Sequence, residues 1–138
     1  IDTTRNLAMY RSLTSAMKSG LVRSAHDCSD GGLAVAIAEC CFGCDGGTTI
    51  NLDGLISTSV DVWGALFGES LGRIVVSVTP ENVSKFESIL NKHSFTKLGE
   101  VGDKKNLQFT VNNKPILKAK LSHLLDTWKN TLNMGGEQ

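Results

Sequence analysis

A surplus of charge of either sign is missing. Fourteen Lys and Arg balance fourteen Asp and Glu across 138 residues, so the formal net charge is zero. Nothing is left over to neutralise phosphates or anionic lipid, which disfavours binding to nucleic acid or to a membrane surface. The longest basic run, Lys104-Lys105, suits a solvated turn. Long apolar runs are missing too: no window approaches the roughly 18 uncharged residues of a membrane span. The first residues also lack a secretory leader's basic start and apolar middle. The chain therefore reads as cytoplasmic, with no nucleic acid and no membrane among its partners. There is no Walker loop, no H-E-x-x-H, no nucleophile elbow and no legible nucleophile–base pair, so no catalytic residue is assigned to it.

The remaining composition, 41% hydrophobic and 20% charged, is that of a globular domain. A chain this long buries about two-thirds of its unfolded surface. It starts at Ile1 and not at Met, and is expected to be a piece of a longer polypeptide. Of its four cysteines, Cys41-Phe-Gly-Cys44 spells C-x-x-C. A structural zinc site wants two separated ligand pairs, and a redox pair is activated at a helix start, whereas this one falls at a helix end. The expectation is reduced, buried, structural thiols and no metal.

Thr3 or Thr4 is positioned to cap a helix whose stripe is Leu7, Tyr10, Leu13, Ala16 and Met17, ending at Gly20. A short extended segment, 21–25, runs into His26-Asp-Cys-Ser-Asp-Gly-Gly32. A second stripe follows (Leu33, Ala34, Ile37, Ala38, Cys41), then a strand over 48–52 and a short helix over 62–67. Ile74-Val-Val-Ser-Val78 is β-branched and nearly all apolar, as in a buried central strand. Thr79-Pro80 opens a helix carrying Val83, Phe86 and Leu90 that stops near His93. The segment 95–101 reads as extended, 107–117 as a hairpin turning at Asn112-Asn113, and Leu121, Leu124, Leu125, Trp128 and Leu132 as a last amphipathic helix. Residues 133–138 are expected to form a disordered tail. The order specifies an α/β (α+β) class: one domain over 1–138, a mixed sheet with helices packed on it.

Two segments can carry chemistry. In the first, His26, Asp27, Ser29, Asp30, Gly31 and Gly32 lead from a strand into a helix, so backbone N–H groups and the helix's positive end can face a phosphate. The same residues also suit a plain turn, with Ser29 or Asp30 as cap and His26 as a hydrogen-bonding residue. In the second, Glu69-Ser70-Leu-Gly-Arg73 precedes an apolar strand. There a carboxylate, a hydroxyl and a guanidinium can bind a polyhydroxy or phosphorylated ligand, or Glu69 and Arg73 can pair at the sheet edge.

Ser24-Ala-His-Asp-Cys-Ser-Asp-Gly-Gly-Leu-Ala-Val-Ala-Ile-Ala-Glu39, Leu66-Phe-Gly-Glu-Ser-Leu-Gly-Arg-Ile-Val-Val-Ser-Val78 and Leu98-Gly-Glu-Val-Gly102 occur in this order. Together they resemble the C-terminal domain of the aminoimidazole ribonucleotide (AIR) synthase superfamily, over roughly 3–132. The resemblance is nearest to its purine-biosynthetic, glutamine-dependent branch. It implies an ATP-dependent C–N ligase in which a substrate amide oxygen is phosphorylated and displaced by ammonia. ATP and magnesium would be held mainly by a preceding nucleotide-binding domain, and a glutaminase subunit or domain would supply ammonia. The fragment itself would serve as scaffold and cleft wall, inactive alone and needing no cofactor. Other superfamily members (selenophosphate synthetase, AIR synthetase, thiamine-monophosphate kinase) and a stand-alone phosphometabolite-binding module are the alternatives. The resemblance places Asp30, Gly31 and Gly32 near a ligand cleft or interface. Glu69-Ser70-Leu71 falls where one copy of the family's unit has a substrate-contacting Glu-Ser-Gln. Gly72-Arg73 fits the second copy, whose site is auxiliary or structural.

Overall fold

The computed structural model describes residues 2–44 and 46–131; helices and strands alternate up to Leu90, and three strands then precede the last helix. The elements are α1 Thr3–Lys18, β1 Ser24–Asp27, α2 Gly32–Phe42, β2 Gly47–Asn51, α3 Val62–Phe67 and β3 Ile74–Ser77. After a 3₁₀ turn at Pro80–Asn82 come α4 Val83–Leu90, β4 Gly99–Gly102, β5 Asn106–Val111, β6 Lys114–Lys120 and α5 Leu121–Asn130. The expected α/β class holds. Leu132 and the tail at 133–138 lie outside the described residues. The chain forms two compact units: one runs to Ala36 and includes Phe67–Lys97, and the other holds Ile37–Leu66 and the residues from Leu98 on.

In the first unit α1 starts one residue earlier than the cap expected from sequence. Asp2 is extended (φ −86°, ψ 93°) and its carboxylate accepts from Arg5 N at 3.0 Å, which leaves Thr3 and Thr4 in the first turn. Leu13 and Ala16 are buried with Leu21, Phe86 and Leu90 against Ile74, Val76 and Val78. The α1 stripe is narrower than its spacing suggested: Leu7, Tyr10 and Met17 are exposed, because α4 covers only the Leu13–Ala16 side. β3 is also corrected. Among the described residues it pairs with β1 alone, antiparallel, Asp27 opposite Ile74 and Ser24 opposite Ser77, and all four of its residues are half-buried. Ile74, Val76 and Val78 alternate onto the core, so a nearly all-apolar run here makes a half-buried ribbon and not the centre of a sheet.

The second unit carries the mixed sheet, in the order β4-β2-β5-β6, with β2 and β5 parallel and the outer pairs antiparallel. Ile50, Leu52, Leu107 and Phe109 are its buried side chains. Thr110 Oγ1 donates to the Ile50 carbonyl at 3.3 Å, and Thr48 Oγ1 to that of Glu100 at 2.9 Å, so both buried hydroxyls are satisfied. Edge strand β6 carries Lys114, Pro115, Lys118 and Lys120, which discourage a further strand from adding. In the extended stretch expected from residue 95, only Gly99–Gly102 pairs.

The β5–β6 turn is the one anticipated. Asn112 (φ 49°) and Asn113 (φ 60°) both take the left-handed conformation of a type I′ turn, and Asn112 N donates to Asp53 Oδ1 at 2.8 Å. Replacing Asn113 by glycine removes the residual Cβ strain. This is expected to stabilise the chain by up to about 1 kcal/mol, read as a higher urea midpoint. An unchanged or lower midpoint would mean that Asn113 is held by interactions worth more than the strain.

Candidate functional site

The β1–β3 ribbon determines which residues meet. Antiparallel pairing sets Asp27 opposite Ile74, and Cys28 N then donates to the Arg73 carbonyl at 3.0 Å. The segments 26–32 and 68–73 are thereby neighbours at one end of the ribbon. The two segments carry the nine residues singled out in the sequence (His26, Asp27, Ser29, Asp30, Gly31, Gly32, Glu69, Ser70 and Arg73), and Gly31 and Glu69 bond directly across them.

Their bonding shows how the turn is held. Ser29 Oγ donates to Asp27 Oδ2, and this hydrogen bond, first among the causes, lowers the Asp27 carboxyl below its ordinary range. The Ser29 carbonyl accepts from Gly32 N at 3.0 Å. The N–H of Gly31 donates to Glu69 Oε1 at 2.9 Å, across 38 residues of sequence. The side chain serving the start of α2 is therefore Glu69. Ser29, expected as a cap, turns its hydroxyl to Asp27 because it lies too early in the turn to reach back to the helix. His26 Nδ1 donates to the Asp27 carbonyl at 2.7 Å and lies 3.9 Å from Asp27 Oδ1. Arg73 Nη1 donates to the Gly68 carbonyl at 2.8 Å, closing the 68–73 loop on itself.

Three participants were not anticipated. Gly68 supplies the carbonyl that Arg73 grips. Val35 packs beneath Gly31, and Asn6 of α1 lies against Gly72, where a Cβ would stand 2.9 Å from Asn6 Nδ2. Residue chemistry gave no signal for these contacts; only the spacing Gly31-x-x-x-Val35, one helical turn, hints at the second. A groove of roughly 550 Å³ lined by Ser19, Leu21, Ser84, Lys85, Ser88 and Ile89 involves none of the nine residues.

The cysteines separate by burial. Cys28 and Cys41 are buried and Cys40 half-buried, as expected of structural thiols. Cys44 departs from that reading: it is exposed, its thiol donating to the Cys41 and Gly46 carbonyls, because α2 ends at Phe42. Burial pushes the Cys28 thiol up and takes Cys41 from 9.0 to about 11. At pH 8 about one Cys41 in a thousand is then thiolate. An aromatic disulfide reagent is expected to titrate Cys44 first and Cys41 only on unfolding. A folded-state pKa raised from 9.0 to about 11 also means that Cys41's contribution to stability, complete below pH 9, is lost as pH rises toward 11. Rapid labelling of Cys41 in the native chain would contradict this.

The fold and the family match define an AIR-synthase-type module. The chain belongs to the family described as AIR synthase related protein, C-terminal domain, whose model matches residues 2–112. It is 40% identical over 122 residues to the phosphoribosylformylglycinamidine synthase subunit PurL of Lactobacillus helveticus, and 36% identical over 126 residues to that of Carboxydothermus hydrogenoformans. The alignments cover 88% and 90% of this chain but only 15% and 17% of those relatives. Thermotoga maritima PurL complexed with FGAR superposes with a TM-score of 0.78 at 23% identity, over 86% of this chain and 20% of that one. Escherichia coli HypE, a hydrogenase maturation protein, gives 0.60 at 18% identity, over 81% and 38%. These two share the fold.

Proposed function

We propose that this chain is the C-terminal AIR-synthase-type domain of a phosphoribosylformylglycinamidine synthase. The parent would convert formylglycinamide ribonucleotide, ATP and glutamine-derived ammonia to formylglycinamidine ribonucleotide in purine biosynthesis, in the cytoplasm. The observation that carries the reading is the 40% and 36% identity to synthase subunits over nearly the whole chain. No helix among the described residues is long and apolar enough to cross a membrane.

The role of this part is scaffold and cleft wall. Among the described residues no three His, Cys, Asp or Glu converge as a metal ion would require. The Gly31 N–H that a phosphate would use is engaged by Glu69. These residues do not fit a magnesium–nucleotide centre, so no phosphoryl-transfer step is assigned to them. ATP and magnesium belong with the preceding nucleotide-binding domains, and ammonia with a glutaminase subunit or domain. What this chain offers is a braced surface presenting Asp30, Ser70 and the His26–Gly32 turn, which fits orientation of a bound substrate and not attack on it.

The test is an assay of the full parent polypeptide with formylglycinamide ribonucleotide, ATP, magnesium and ammonia, beside the 138-residue chain alone. The parent is expected to form formylglycinamidine ribonucleotide and the chain alone to form none. Turnover by the isolated chain would overturn the scaffold role. A parent active only on selenide or thiamine monophosphate would move it to another branch of the superfamily.

A further inference from the structure

We infer that Glu69 is a positioning residue: its carboxylate sets the Gly31 turn at the start of α2, and it acts on substrate through that turn and not by touching it. The inference rests on the cleft-wall role proposed above. Four observations carry it. First, Glu69 Oε1 takes the Gly31 N–H at 2.9 Å, bridging the two sequence motifs. Second, the loop that presents Glu69 is braced at both ends, by Arg73 Nη1 on the Gly68 carbonyl (2.8 Å) and by Cys28 N on the Arg73 carbonyl (3.0 Å). The carboxylate is thus delivered from a fixed loop. Third, the neighbouring groups of the turn are committed elsewhere: Ser29 Oγ to Asp27, and the Ser29 carbonyl to Gly32 N. Fourth, Gly31 has φ +76°, a conformation at which a glycine has many alternatives unless an outside partner selects one.

The chemistry is suited to the task. An anionic acceptor at the positive end of a helix makes a charge-assisted bond, stronger than a neutral one. Losing such a bond costs a factor of about ten in the local closing equilibrium.

The experiment uses the full parent enzyme, as wild type, Glu69→Ala and Glu69→Gln. Hydrogen–deuterium exchange of peptides spanning 28–33 is measured without ligand, and kcat/KM for formylglycinamide ribonucleotide is measured in parallel. Glu69→Ala is expected to speed exchange there about tenfold and to lower kcat/KM to a similar degree. Glu69→Gln, whose amide oxygen still accepts the Gly31 N–H in a weaker, neutral bond, should recover part of both. Three results would overturn the inference. Exchange unchanged in Glu69→Ala would mean the bond does not hold the turn. Faster exchange with unaltered kinetics would make Glu69 merely structural. Exchange restored by Gln without recovery of kcat/KM would mean the charge itself meets substrate. Should the wild type lack synthase activity, the functional reading fails, while the exchange data still report on the bond.

Discussion

Phe109→Ala is expected to cost about 3–5 kcal/mol of unfolding free energy, the largest effect of any single truncation proposed for this chain. Phe109 is fully buried on β5, between Ile50 of β2 and Leu117 of β6 in register. Its ring therefore fills the middle of the mixed sheet, where strands on both sides hold the backbone and the site cannot collapse around a smaller side chain. The loss combines the transfer free energy of the ring with that of the cavity left behind. Urea unfolding followed by tryptophan fluorescence reads it as a lower midpoint with an unchanged slope. A cost below about 1 kcal/mol would show that the second unit does not depend on this core.

Gly31→Ala is expected to cost about 2–5 kcal/mol, from two sources of similar size. One is the left-handed conformation at φ +76°, worth about 1–2 kcal/mol against any side chain. The other is overlap: a Cβ would stand 2.4 Å from Val35 Cγ2 and 2.9 Å from Val35 Cβ, an overpacking of about 1–3 kcal/mol. The two can be separated because only the second depends on Val35. Val35→Ala removes the Cγ2 overlap but keeps the Cβ, so the double variant should regain about 1 kcal/mol relative to Gly31→Ala. If Gly31→Ala is as stable as wild type, the turn does not have this geometry. If Val35→Ala in that background only destabilises further, the overlap is absent. The stability effect should be accompanied by faster exchange over 28–33, because the strain is relieved by opening the turn that Glu69 closes.

Much of the architecture was legible from local chemistry. The Asn112-Asn113 turn, the helix over 62–67 and the Pro80 start before α4 were all specified by neighbours a few residues apart. Elements of this kind depend on the backbone preferences of single residues and on short periodicities, which a sequence carries directly. The nine residues with chemical promise were also legible as two motifs, because small polar residues and glycines between a strand and a helix are uncommon outside turns. Their identity as one cluster was not. It depends on β1 pairing with β3 across nearly fifty residues, and an apolar run does not name its partner.

The same distinction explains the corrections. Leu7, Tyr10 and Met17 share the helical spacing of Leu13 and Ala16, yet only the latter two are covered, since Phe86 and Leu90 of α4 pack on that side of the helix. Cys44 belongs by spelling to the cysteine cluster, but it lies beyond the end of α2 and is exposed. Asp2 displaced Thr3 and Thr4 as the cap because it is the residue outside the helix, where the backbone is extended enough for a side chain to reach back.

By itself, then, the sequence determined the class of fold, the local turns and the list of residues worth examining, because these follow from preferences that act over a few residues. Tertiary structure alone decided that Glu69 serves Gly31, that Arg73 closes the 68–73 loop, and which apolar faces are covered. Those outcomes depend on distances between segments far apart in the chain, set by strand pairing and core packing and by no residue's own preference.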